Sequence, residues 1–266
     1  MKITAIACAA AAGLASAGAV SASTLTITVE NLAPAGGFSL TPVWMGFQNG
    51  SFETFTPGMA TTAPGITEIA ELGDTGPITN RFAMQQPNGT DFTFADPNGA
   101  PVFSPGESAS TSVNVASPDT YRFLSFASMV VPTNDLFVGN STPLEVFDAM
   151  GGFNGPIVIE LFGADVYDNG SEVNDVSNGP AFVMGQDAMA GADENGVARL
   201  FFNGDPGNDM TSAAYLQSIV GVTTPVGVVS ETFDAQTPLA RITIVPSPGP
   251  AGALALAGLA AVRRRR

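Results

Sequence analysis

The chain has 266 residues, 24 acidic and nine basic, with a formal net charge of −15, no histidine and one cysteine. Without histidine, Ser–His–Asp and Cys–His catalysis and zinc sites built on His and Cys are excluded in their usual forms. With 45% apolar residues the chain can still bury a core, so its charge does not imply disorder.

In chain order, the first feature is a leader over residues 1–22. Lys2 supplies one positive charge, residues 5–20 are apolar and alanine-rich, and Val20-Ser21-Ala22 offers a small-residue cleavage site. This is the pattern of a secretory signal. Cys8 leaves with it, so the exported body has no thiol and no disulfide. The body, residues 23–245, reads as β-structure. Leu25, Ile27 and Val29 alternate with Thr26, Thr28 and Glu30, the period-2 pattern of a half-buried strand. Further strands are expected over residues 38–47, 111–116, 121–131, 156–163 and 197–202. A last strand carries Ala240, Ile242 and Ile244. Two short helical turns are expected, one with Ile66, Ile69, Ala70 and Leu72 after Pro64-Gly65, the other with Leu144, Phe147 and Ala149 after Thr142-Pro143. Thirty glycines and 20 prolines punctuate these segments, and strands at both ends of the body argue for one all-β, antiparallel sandwich.

The tail, residues 246–266, has three parts: Pro246-Ser247-Pro248 after Val245, a 12-residue apolar run over 251–262, and four consecutive arginines. The run is short of the roughly 20 residues of a comfortable membrane span, but suits transient insertion with the arginines held on the cytoplasmic side. The layout resembles the PEP-CTERM family of sorting signals, with Val-Pro-Ser-Pro in place of Pro-Glu-Pro. The resemblance implies an exosortase-type processing enzyme as partner and delivery to the cell surface of a Gram-negative-type envelope. Without leader and tail, 9 − 1 − 4 = 4 basic residues remain (Arg81, Arg122, Arg199, Arg241), and the body carries 4 − 24 = −20. Such a body repels nucleic acid and anionic lipid, which require clusters of Lys or Arg. It attracts cations.

The donors left for chemistry are oxygens, which suit calcium. Acidic clusters occur at Asp165–Asp168 with Glu172, Asn174 and Asp175, at Asp193-Glu194-Asn195, and at Asp205 with Asn208-Asp209. None has the spacing of an EF-hand loop, and on spacing alone the simpler reading is a solvated loop.

Several segments together resemble the spondin N-terminal domain family in its bacterial form. They are Leu40-Thr41-Pro42-Val43-Trp44, Gly46-Phe47-Gln48-Asn49-Gly50-Ser51-Phe52, Glu68–Asp74, Ser128–Gly139, Asp165–Glu172 and Ala240–Ile244. Gln48 stands where bacterial relatives commonly carry histidine. The resemblance implies an eight-stranded, C2-like β-sandwich with one or two short helices and a calcium site at one end. Its metal ligands map onto Asp135 and Asp168. A third falls near Asn114, with Glu107 as the fallback, and Glu172 could compensate for the amide at Asn114. An amide in place of a carboxylate lowers the ligand charge, and with it the affinity.

Three functions follow as expectations. The first is an exported, calcium-stabilised adhesion or extracellular-matrix module without catalytic activity, partnered by an exopolysaccharide or surface protein. The second is a carbohydrate-binding sandwich with Trp44 and tyrosines as stacking faces. The third, ranked last, is a carboxylate-only hydrolase. Trp44, Phe47, Phe52 and Met129 are expected in the core rather than in a binding face, because period-2 strands bury alternate residues. The Asn-Gly-Ser/Thr triplets at Asn49, Asn88 and Asn169 read as turns.

Overall fold

The computed structural model describes residues 2–5, 23–96, 99–203 and 211–247. Most of the leader, the apolar and arginine-rich parts of the tail, and the acidic cluster around Asp205 lie outside the described residues.

One sheet contains β1 (Lys2–Ala5), β2 (Ser23–Asn31), β6 (Ser108–Val115), β10 (Ile157–Phe162) and β15 (Pro238–Pro246), in the spatial order β1-β10-β15-β2-β6. The other contains β3 (Ser39–Leu40), β4 (Val43–Gln48), β5 (Thr90–Phe94), β7 (Phe123–Val131), β8 (Leu136–Gly139), β9 (Leu144–Glu145), β11 (Val166–Asp168) and β12 (Arg199–Leu200). Its order is β12-β11-β8-β7-β4-β5, with β3 and β9 also pairing β7. A small hairpin, β13 (Thr223–Thr224) and β14 (Gly227–Val228), stands apart. All pairings are antiparallel. The chain is therefore an all-β sandwich. From Ser23 onward, eight strands have four or more residues: β2, β4, β5, β6, β7, β8, β10 and β15.

The two ends of the body meet, since Ile27 faces Ile244 and Val29 faces Ile242 across β2 and β15. The first sheet keeps the alternation read in the sequence. Leu25, Ile27, Val29, Ile159, Leu161, Ile242 and Ile244 are buried, and Arg241 lies between Glu30 and Glu160 on the half-exposed outer face, at 3.4 and 3.1 Å. The centre of the second sheet is buried on both faces: every residue of β4 and β8 is buried, as is β7 after its first residue, while β5, β9 and β12 are partly exposed.

Helices cover that outer face. The first, α1 (Ile66–Leu72), sets Ile66, Ile69 and Ala70 in a cluster with Trp44, Ala127 and Phe137. It starts where the Gly65 amide donates to Glu68 Oε2 (2.6 Å) and stops at Gly73 in the left-handed conformation (φ 68°). A Cβ at Gly73 would stand 2.6 Å from Thr41 Cγ2, so helix exit and sheet contact both require glycine. The second, α2 (Gly76–Gln85), opens on Pro77 and adds Ile78 and Phe82 to the cluster. The third, α3 (Ser212–Ile219), is capped by Thr211, whose hydroxyl accepts from the Ala214 amide (3.2 Å). No helix among the described residues is long and apolar enough to cross a membrane.

The helix expected around Leu144, Phe147 and Ala149 is corrected. Leu144–Glu145 pairs with β7, Phe147 bridges Phe153, and the Val146 and Phe147 amides both donate to Arg122 O. The i/i+3 apolar spacing there reflects a strand followed by a turn, with sheet pairing taking the backbone groups that a helix would use internally.

Candidate metal centre

Asp135 and Asp168 meet where β8 begins and β11 ends. Leu136 faces Asp168 across these strands, and the Asn169 amide donates to Asp135 O at 3.2 Å. The turn before β8 is fixed by Thr133, whose hydroxyl donates to Val130 O (2.5 Å) and accepts from the Leu136 amide (3.2 Å). The turn after β11 is fixed by Gly170 at φ 68°. A Cβ there would lie 2.6 Å from Val197 N, so this tight reversal admits no larger residue.

Both carboxylates are fully buried. Asp135 Oδ2 accepts from the Ser171 and Glu172 amides (2.8 and 3.0 Å) and from Ser171 Oγ (3.2 Å). Asp135 Oδ1 is buried and has no hydrogen-bond partner among the described residues. Asp168 Oδ1 accepts from the Gly170 amide (2.8 Å), and Oδ2 from Asn174 Nδ2 (2.8 Å) and Arg199 Nη2 (3.4 Å). Arg199 is shared, since its Nη2 also lies 2.8 Å from Glu194 Oε1.

Burial, then the neighbouring Asp168 charge, pushes the Asp135 carboxyl well above its ordinary range, against the pull of the three donors. Burial likewise raises Asp168 to about 6, although Arg199 and Asn174 act the other way. Burial therefore favours a proton or a further cation at the pair, beyond the one arginine that Asp168 shares with Glu194.

The structure brings the proposed ligands together only in part. Glu172 reaches Asp135 through its backbone amide. Its side chain runs elsewhere, with Oε2 3.4 Å from Asn134 Nδ2 and the carboxylate against the Gly191 backbone. Burial, then the charge of Glu71, raises Glu172 to about 7. Asn114 is an exposed residue of β6, on the edge of the other sheet, and is not brought to the two aspartates. The alternation of β6 turns Val113 and Val115 inward and leaves Asn114 outside. Glu107 is spent locally, accepting from the Ser104 amide at 2.6 Å. No group of three or more Asp, Glu, His or Cys side chains poised for a metal occurs among the described residues.

Several participants escaped the sequence reading. Asn134 is fully buried: its Oδ1 accepts from Tyr215 Oη (2.7 Å) and the Asp175 amide (3.0 Å), and its Nδ2 donates to Asn178 O (2.9 Å). The Asn134 amide donates back to Tyr215 Oη (3.0 Å), which ties α3 to the site. One signal was available: Thr133-Asn134-Asp135 interrupts an otherwise apolar stretch from Met129 to Val138, where only paired polar groups are tolerated. Gln48, fully buried, accepts from the Gly50 and Phe52 amides (3.0 and 2.8 Å). It donates to Phe52 O (2.7 Å) and Ser125 Oγ (2.8 Å), so its role is to hold a loop. Trp44, Phe47, Phe52 and Met129 are core residues, each at most 1% exposed.

The donors fit a hard cation in kind: all are oxygens, one of them buried and orphaned beside a second carboxylate. Asp135 and Asp168 would hold it. They do not fit a substrate, because both are inaccessible. The adjoining pocket is lined by Glu71, Asn169, Gly170, Ser171 and Asp193 rather than by either aspartate. No protein-family model matches the chain, and no curated protein matches it either.

Proposed function

We propose that the protein is an exported, non-catalytic adhesion or matrix module of the spondin type, whose sandwich is clamped at one end by calcium on Asp135 and Asp168. The observation that carries this reading is the orphaned, buried Oδ1 of Asp135 next to a second buried carboxylate, whose arginine, Arg199, is shared with Glu194. A cation there replaces mutual repulsion with attraction and joins the β7–β8 turn to the loop after β11. Two carboxylates are few for calcium, which places the affinity at about 0.1–1 mM, the range of extracellular modules. The leader and tail patterns support export to a calcium-rich exterior.

The test is thermal melting in calcium and in chelator, with Asp135→Asn alongside. A cation bound only by the native state at ten times its Kd stabilises by ~1.4 kcal/mol, a rise of about 3–5 °C for a domain of this size. Asp135→Asn keeps an acceptor for the Ser171 and Glu172 amides and removes one buried charge. It is expected to abolish the calcium increment without lowering the melting temperature in chelator. Equal calcium increments in both proteins, or none in either, would overturn the assignment.

A further inference from the structure

We infer that β10 is a strand-pairing edge through which the exported chain associates with a second copy of itself. The inference rests on removal of the leader after Ala22 and is independent of calcium. Residues Lys2–Ala5 occupy this edge as β1, antiparallel, with Lys2 facing Glu160, Ile3 facing Ile159, Thr4 facing Val158 and Ala5 facing Ile157. Cleavage removes that strand. The shortened chain starts at Ser23, already inside β2, so no N-terminal arm remains to refill the place. The core residues whose burial is described lie between Leu25 and Ile244, and the processed chain keeps all of them.

The exposed edge is weakly protected: Glu160 is its one charge, and its register slips only at its end, between Leu161 and Phe162. Ile157-Val158-Ile159-Glu160-Leu161-Phe162 contains no lysine, glycine or proline, and Ile157, Ile159 and Leu161 face the core. The opposite edge of the same sheet, β6, is instead rich in exposed serine and threonine. A strand that accepts an antiparallel neighbour can accept its own copy about a two-fold axis, which closes the assembly at two chains. Charge selects the register. Centring the axis on Ile159 sets Ile157 opposite the partner's Leu161 and Val158 opposite the partner's Glu160. Centring it on Glu160 would oppose two carboxylates directly, which is destabilising. In the favoured register each Glu160 keeps its 3.1 Å contact with Arg241. Before processing, β1 masks the edge and keeps the chain single.

The experiment is light scattering on the processed chain in chelator, across concentration and salt. Mass spectrometry of the exported protein reads leader removal separately. A dimer is expected, and it should tighten with salt, because two bodies of like charge repel less at an ionic strength of about 0.5 M. The register gives two substitutions of opposite effect at one half-exposed, outward position. Val158→Glu sets two pairs of like charge across the axis and should weaken the dimer about tenfold. Val158→Lys sets two ion pairs there and should hold it as tightly or more so. Circular dichroism confirms that both fold. A processed chain that stays monomeric at high salt overturns the inference, as does an equal response to the two substitutions. Loss of the dimer on deleting residues 248–266, with no response to Val158→Glu, would place the tail rather than β10 at the contact and also overturn it.

Discussion

The two sheets of the sandwich handle polarity in opposite ways. The five-stranded sheet has one face in the core and one toward solvent, and its polar groups are cheap: Thr26, Thr28, Arg241, Glu30 and Glu160 lie on the wet side. The eight-stranded sheet is covered on its second face by α1, α2 and long loops, so Thr41, Gln48, Ser125, Ser128, Asn140 and Asp135 are buried within it. Each must be paired inside the protein, because a buried polar group without a partner costs far more than an exposed one. The lesson is that polar residues on the wet face of the first sheet are dispensable, whereas buried ones, Asn31 at the end of β2 included, are structural commitments. Asp135 Oδ1 is a commitment left open, and it lies at the candidate site.

The largest effect that could break this contrast comes from the covered face. Trp44 is fully buried, with ring centroids 5.5 Å from Phe82 and 5.7 Å from Phe52. Trp44→Ala should cost ~3–5 kcal/mol in urea unfolding. A loss under about 1 kcal/mol would mean that the outer layer contributes little to the fold.

Next comes acidity. Asp168 and Glu172 titrate in the folded chain at about 6 and about 7, above their ordinary 3.8 and 4.5. Groups raised on folding contribute stability that is complete below their unfolded values and lost as pH rises through the folded ones. In chelator the protein should therefore weaken from about pH 4 to about pH 7. Saturating calcium should flatten that slope. Stability that rises with pH over this window would contradict the electrostatics of the site.

Gln48 sharpens the same comparison at smaller scale. Gln48→Leu leaves the Gly50 and Phe52 amides and Phe52 O without their partner, and should cost ~2–3 kcal/mol by thermal melting. The smallest effect belongs to the first sheet: Arg241→Ala, which removes two exposed-face ion pairs, should cost under ~1 kcal/mol and less at high salt. If Arg241→Ala proved as damaging as Gln48→Leu, the two sheets would not differ as described.

The same contrast explains what could be read before the structure. Alternation is visible only where one face is wet, so β2 and β15 stood out, although their pairing with each other emerged only in the folded chain. On the covered sheet the apolar runs are continuous. There, periodicity could not separate the strand and turn at Leu144–Phe147 from a helix, and α2 was not foreseen. α1 was legible because Pro64-Gly65 and Gly73 bracket a short apolar repeat. Asp135 and Asp168 came from the resemblance, not from spacing: they are 33 positions apart, and only the β8–β11 pairing brings them together. The same long-range pairing shows why Asn114 misleads, since its strand belongs to the other sheet. Arg199 and Tyr215 reach the site from segments with no local motif, through contacts that only the folded chain creates.

Those contacts have an optical consequence. The chain has one tryptophan and three tyrosines. Trp44 lies under the helices, its indole nitrogen 3.2 Å from Asp91 Oδ2, and the Tyr167 ring, stacked on Phe137, packs against the same cluster. Tyr215 instead bonds Asn134 at the candidate site. Tryptophan emission would follow loosening of the helical cover, while the part of the near-ultraviolet dichroism lost in Tyr215→Phe would follow closure of the acidic end.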